Sequence, residues 1–266
     1  MTQPVIVDGT RAWRKTYGRS RRHLRLAALR MLATRLDLPP LLPPPHRDGD
    51  AARRTEAARI RQLDAIGVTV PEILAEADGE LVLTDLGPTL AVQLRQAEGE
   101  SRKTDALVAS AVEAIADAHR RGGYLSQAWP RNVTLSAGQV GFIDFEEDPG
   151  EVMSQQDAQA RDWLLFAHGT MRYYRGRPRA LAGQLSPALR DAQPDTVSGI
   201  SDVGTRLQPL ANGVDSLRRE PGTLGQVLRV LRSALPVAVG ALLLALGVDW
   251  VHDGQISLFD DLAGLF

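Results

Sequence analysis

The sequence contains no cysteine and almost no lysine. Without cysteine, disulfides, thiolate metal sites and cysteine nucleophiles are all excluded. Of 31 Lys+Arg residues, only Lys15 and Lys103 are lysine. Codon usage is the plain explanation for that bias. It still singles out each lysine, because a compact ammonium does a job that a planar guanidinium does not. An excess of either charge is also missing: the net charge is −1, with 44% hydrophobic residues. That balance describes a globular chain, not a disordered one. The 266 residues suffice for one large domain or two smaller units. The opening "MTQPVIVDGTRAW" has no basic flank leading into an apolar run, so a cytoplasmic location is expected.

Two stretches stand apart in composition. Between Arg11 and Arg35 lie eight arginines and one lysine, with no Asp or Glu. "RSRRHLRLAALRMLATRL" has the spacing of a basic amphipathic helix. It reads either as a core helix with a solvated arginine face or as a contact for an anionic surface. Nucleic acid is disfavoured as a partner, since the chain as a whole is not basic. Near the other end, Ala234 to Val248 is an uncharged apolar run of 15 residues. It falls between a buried core helix and a membrane span, and both readings stay open.

The pattern between these stretches predicts α+β architecture. Val5, Val7, the Asp8-Gly9 turn and a return strand from Ala12 to Tyr17 read as a hairpin. Five prolines between Pro39 and Pro45 interrupt regular structure. A helix is expected over Ala51–Ala65, ended by Gly67, followed by two short strands around Asp78-Gly79. Helices then follow at Leu90–Gln96 and Thr104–Arg121. After them come two short apolar runs joined by Ala137-Gly138, and a helix that starts with a cap at Ser154. Thr196 to Gly222 reads as less regular. The expected organisation is a small unit over residues 1–86, a helical unit over 87–222, and an apolar segment over 223–266.

Several residues fall in the order that phosphoryl transfer requires. Such a site needs a lysine for phosphates, a glutamate to hold it, a carboxylate and an amide for the metal, and a proton acceptor. Lys15 lies on the return strand of the first hairpin, and Glu56 lies in the next helix. Asp144 follows the apolar run in "GFIDFE", twelve residues after Asn132. His119 precedes the loop and reads as a structural histidine that fixes it. Asp162 in "ARDWLLF" is placed to brace that loop from a helix.

At these residues the sequence resembles a known family. "EAARIRQLDAIGVTVPEIL", "ELVLTDLGPTL", "AIADAHRRGGYLSQAWPRNVTL" and "VGFIDFEEDP" look like the bacterial lipopolysaccharide kinases of the InaA type. Together with the Kdo kinases, these belong to the protein-kinase-like superfamily. The resemblance covers roughly Val5 to Phe166. It implies a bilobal kinase fold with a truncated N-lobe and a mostly helical C-lobe, binding ATP and magnesium between them. Lys15 would contact phosphates and Glu56 would pair with it, while Asn132 and Asp144 would hold Mg²⁺. The implied acceptor is a hydroxyl on a sugar, a glycolipid or a protein, reached at the inner-membrane surface.

The sequence departs from that pattern in three places. The family's loop reads His-Gly-Asp-Leu, four residues, then Asn; here Leu125, Ser126 and Gln127 stand at the first three positions, with Asn132 kept. Gln127 cannot accept a proton as a base, although its amide can orient a hydroxyl. No glycine-rich loop precedes the first hairpin, and Thr84 stands where a glutamate is common. The sequence therefore supports three readings: a phosphotransferase without its usual base, a pseudokinase that regulates or scaffolds, and a membrane-associated structural module that uses the basic helix and needs neither Asn132 nor Asp144. Among the remaining residues, Glu146–Asp148 reads first as a solvated acidic turn, with Glu146 as an extra metal ligand the alternative, and Trp129 with Pro130 as loop-shaping residues.

Overall fold

The computed structural model describes residues 2–18, 30–31 and 33–216. Residues 19–29 and 32 of the basic run at 11–35, and all of the apolar run at 234–248, lie outside the described residues. Among the described residues, no helix is long and apolar enough to cross a membrane.

A four-stranded antiparallel sheet, order β1-β2-β4-β3, opens the chain. Strands β1 (Thr2–Val7) and β2 (Thr10–Thr16) meet at Val7↔Thr10 around Asp8-Gly9. Both turn residues have positive φ, 48° and 79°, the requirement of a tight two-residue hairpin turn. The hairpin thus begins three residues earlier than Val5 and pairs over its whole length. Strands β3 (Ile73–Ala77) and β4 (Glu80–Thr84) form a second hairpin, and β4 pairs with β2 in the register Lys15↔Leu81.

Between the hairpins the chain runs through "LPPLLPPP" and helix α1 (Gly49–Ala65). The proline-rich stretch does more than interrupt structure. Pro39–Leu41 makes one 3-10 turn, and Leu38 and Leu41 are buried in the core. Proline fixes the backbone there, while the adjacent leucines supply apolar surface. Helix α1 buries the row Ala52, Glu56, Ile60 and Leu63. This is an apolar stripe at helical spacing with one carboxylate inside it.

The remainder is mostly helical, with one hairpin inserted. Helix α2 (Leu90–Gln96) is capped by the Thr89 side chain, and α3 (Ser101–Arg120) follows. Strands β5 (Val133–Ser136) and β6 (Gln139–Phe142) form a two-stranded sheet. Helix α4 (Gln155–Met171) starts at Ser154, whose Oγ accepts from Asp157 N at 3.1 Å. It runs through the core, burying Asp162, Trp163, Leu164, Leu165 and Phe166. Helices α5 (Pro178–Asp191) and α6 (Pro194–Ser216) complete the described chain. Of the stretch expected to be irregular, Thr196 to Gly222, residues 217–222 lie outside the described residues, and the part up to Ser216 belongs to this continuous helix. Ile200, Val203 and Leu207 give it the buried stripe that stabilises it.

Candidate functional site

The alternation of β2 decides which basic residue faces inward. Trp13, Lys15 and Tyr17 share one face, and Arg14 points the other way to Glu80 at 3.2 Å. The Lys15 ammonium lies 2.8 Å from Glu56 Oε2, 2.7 Å from Asp144 Oδ1 and 2.9 Å from Glu146 Oε1. Strand β2, helix α1 and the segment after β6 thus converge on one ammonium group.

Glu56 is almost fully buried, and a buried carboxylate is costly unless its oxygens are satisfied. Its Oε2 accepts from the Tyr17 hydroxyl at 2.6 Å as well as from Lys15, and its Oε1 accepts from Phe145 N at 3.3 Å. Burial pushes the Glu56 carboxyl up, Lys15 pulls it back and Asp144 pushes it further. For Lys15, burial acts to lower the pKa. Asp144, Glu56 and Glu146 together outweigh that effect and hold it well above the usual lysine value. The Tyr17 phenol is pushed far up by burial and then by Glu56, so it stays a donor.

Asp144 carries its carboxylate on a backbone with φ of 72°. Side-chain-bearing residues rarely adopt that left-handed conformation, and such strain concentrates at functional sites. Ligand oxygens of Glu56, Asp144 and Glu146 lie within 4.8 Å of one another. Glu56 is committed to its three donors. Asp144 and Glu146 are only part-buried, and they are the pair that could hold a cation.

The loop at 125–132 is fixed from two sides. Asn132 is buried, its Nδ2 donates to Gln127 O at 3.1 Å, and its carbonyl accepts from Ile143 N at 2.9 Å. Asn132 is thereby tied to the residue directly before Asp144. From beneath, the buried Asp162 Oδ2 accepts from Leu125 N at 2.6 Å and lies 3.1 Å from His119 Nε2. Asp162 thus braces the loop from a helix, and His119 holds the brace. Gln159 Nε2 adds bonds to the carbonyls of His119 and Gly123 at 3.2 and 2.8 Å. Gln127 is half-buried within this loop, and its carbonyl accepts from Trp129 N at 2.8 Å.

Lys15, Glu56 and Asp144 therefore meet directly, while Asn132 and Gln127 lie on the loop bonded to the end of β6. Further residues join this arrangement. Tyr17 shares a strand face with Lys15, a period-two signal that was available. Glu146 reaches Lys15 and Asp148 accepts from the Tyr124 hydroxyl at 2.6 Å, so the acidic run is not merely a solvated turn. Arg59 stacks 4.0 Å over the Tyr124 ring and donates to Tyr124 O at 2.6 Å. Burial, then the bond to Asp148, pushes Tyr124 up to about 12. These contacts clamp α1 against the loop and against the segment after Asp144. Trp129 is buried under the Arg131 guanidinium, 4.9 Å from its ring, as a loop-shaping residue should be.

No family model matches the chain, and no curated protein matches it.

Proposed function

We propose that the chain is a kinase-like phosphotransferase of the lipopolysaccharide-kinase type, moving the γ-phosphoryl of ATP to a sugar, glycolipid or protein hydroxyl. The observation that carries this reading is the buried Lys15–Glu56 pair, joined at 2.7 Å by Asp144 from a different part of the chain. In this reading the β1–β4 sheet with α1 forms the small lobe, up to residue 86. The helical region from 87 onward forms the large one. The site of action would be the cytoplasmic face of an inner membrane.

The donor set fits a nucleotide with a divalent cation. Lys15 would hold phosphate oxygens, and Glu56 and Tyr17 would hold Lys15. Asp144 and Glu146 would hold Mg²⁺ with Asn132, whose Nδ2 is committed to Gln127 O and whose amide oxygen is the atom left for a cation. Bound magnesium would neutralise charge on the phosphates. Gln127 would orient the acceptor hydroxyl without taking its proton. Losing general-base help costs about 10²–10⁴-fold, which leaves room for slow transfer through positioning and electrostatics.

A second reading, a nucleotide-binding pseudokinase with a regulatory or scaffold role, is favoured by two features. Gln127 replaces the base. The Lys15 ammonium already lies against one oxygen each of Asp144 and Glu146. Calorimetry with ATP and Mg²⁺, followed by a turnover assay, separates the two. Magnesium-dependent binding with turnover, both lost in Asp144→Ala, supports the enzyme. Binding without transfer supports the pseudokinase, and no binding at millimolar concentrations overturns the enzyme.

A further inference from the structure

From Trp163 to Arg190 the chain carries no Asp or Glu, yet it holds Arg172, Arg175, Arg177, Arg179 and Arg190. Three of these lie in the turn between α4 and α5, and Arg179 lies in the first turn of α5. Arg172, Arg175 and Arg179 are exposed. Arg177 is different: it makes a two-pronged bond to Asp105 at 3.1 and 3.2 Å and lies over the Tyr174 ring. Arg177 therefore serves as the anchor that fastens the turn to α3, while Arg172, which lies over the Tyr173 ring, Arg175 and Arg179 are on the exposed side. Arg102, exposed and one helical turn before Asp105, adds to the same basic face.

The position of this turn is fixed by three contacts. The Tyr173 hydroxyl donates to Ala91 O at 3.3 Å, and Ala91 N donates to Pro130 O at 2.9 Å. At the end of α4, a Cβ on Gly169 would lie 2.5 Å from Pro130 Cδ. The arginine turn is thus the immediate neighbour of the loop that carries Gln127 and Asn132.

We propose that this face docks the protein on an anionic lipid bilayer. A protein partner would need apolar surface to bury. The exposed large hydrophobic residues among those described are Ile6 and Met31, and neither belongs to this turn. A single-stranded nucleic acid would need a free aromatic face for stacking. Here Tyr174 is buried and the Tyr173 ring lies under Arg172 at 5.2 Å. A layer of phosphate headgroups needs only clustered cations, and clusters of four or more are the usual requirement. Docking on this face would turn the 125–132 loop toward the membrane. That consequence rests on the phosphotransferase reading, whereas the binding itself does not.

The test is co-sedimentation of the full chain, without nucleotide, with vesicles of phosphatidylcholine alone or mixed equally with phosphatidylglycerol. The native protein should bind the anionic vesicles and not the neutral ones. The triple variant Arg172→Gln, Arg175→Gln, Arg179→Gln should bind about 100-fold more weakly, and Arg175→Gln alone about five-fold. The corresponding triple lysine variant should bind close to the native level. A folded triple glutamine variant that binds like the native protein overturns the proposal. So does displacement by inorganic phosphate at constant ionic strength, which would mark a discrete phosphate pocket. Tighter binding to DNA than to anionic vesicles would overturn it as well. Because nucleotide is absent, the result stands or falls independently of phosphoryl transfer.

Discussion

Glu56 reaches Lys15 from helix to strand at 2.8 Å, and both side chains are largely withdrawn from water. Removing one partner of such a pair strands the other. Lys15→Met should therefore cost about 2–4 kcal/mol of stability, with Tyr17 and Phe145 N limiting the loss. Glu56→Gln should also destabilise, and the double variant should cost less than the two single changes combined. A coupling above about 1 kcal/mol in urea denaturation is the expected outcome; simple additivity would contradict the pair.

The raised pKa of Lys15 predicts an alkaline signature. Its folded value lies above its unfolded value of 10.5. The ammonium's contribution is therefore fully present below that unfolded value, and it is lost as pH rises through the folded one. The stability gap between the native protein and Lys15→Met should stay constant from neutral pH up to 10.5 and close on the alkaline side of that value. Thermal melts across that range measure it. A gap that widens there would contradict the assignment.

Asp162 supports the loop through two charge-assisted bonds, to Leu125 N and His119. Asp162→Ala should cost about 2–4 kcal/mol. The specific sign is local: the Leu125 amide should lose protection from hydrogen exchange before the β5–β6 hairpin does. Uniform loss of protection would indicate global destabilisation alone.

Two backbone positions in and around that loop should respond in opposite senses. Ser126 is fully buried with φ of 67°, and its hydroxyl has no hydrogen-bond partner. Ser126→Gly should stabilise by about 0.5–1 kcal/mol, since glycine takes that conformation without strain. Gly169→Ala should destabilise by about 1–3 kcal/mol, because the new methyl would meet Pro130 and Trp129 at 2.5 and 2.8 Å. Denaturation midpoints of the two variants should move apart.

Much of the local architecture was legible in the sequence. Hairpin turns at Asp8-Gly9, Asp78-Gly79 and Ala137-Gly138, the cap at Ser154 and helix α2 all follow from short-range signals. Lys15, Glu56 and Asp144, singled out by their order along the chain, do meet in the structure, and Asn132 lies on the loop bonded to the residue before Asp144. What stayed hidden depends on tertiary approach. Nothing local announces that Tyr17 shares an oxygen of Glu56 with Lys15, or that Glu146 turns back to Lys15. The burial of Leu38 and Leu41 was equally invisible, since proline content signals broken regularity and says nothing about where the chain packs. The length of α6 was missed because its glycines mask a stripe that only packing against α4 makes decisive.

The bond from Phe145 N to Glu56 has a mechanical corollary. A single carboxylate links the strand that holds Lys15, the tyrosine two residues on, and the main chain beside Asp144. Helix α1 is thus tied through one side chain to three groups, so displacing it would disturb the Lys15 ammonium, the Tyr17 hydroxyl and the main chain beside Asp144 together.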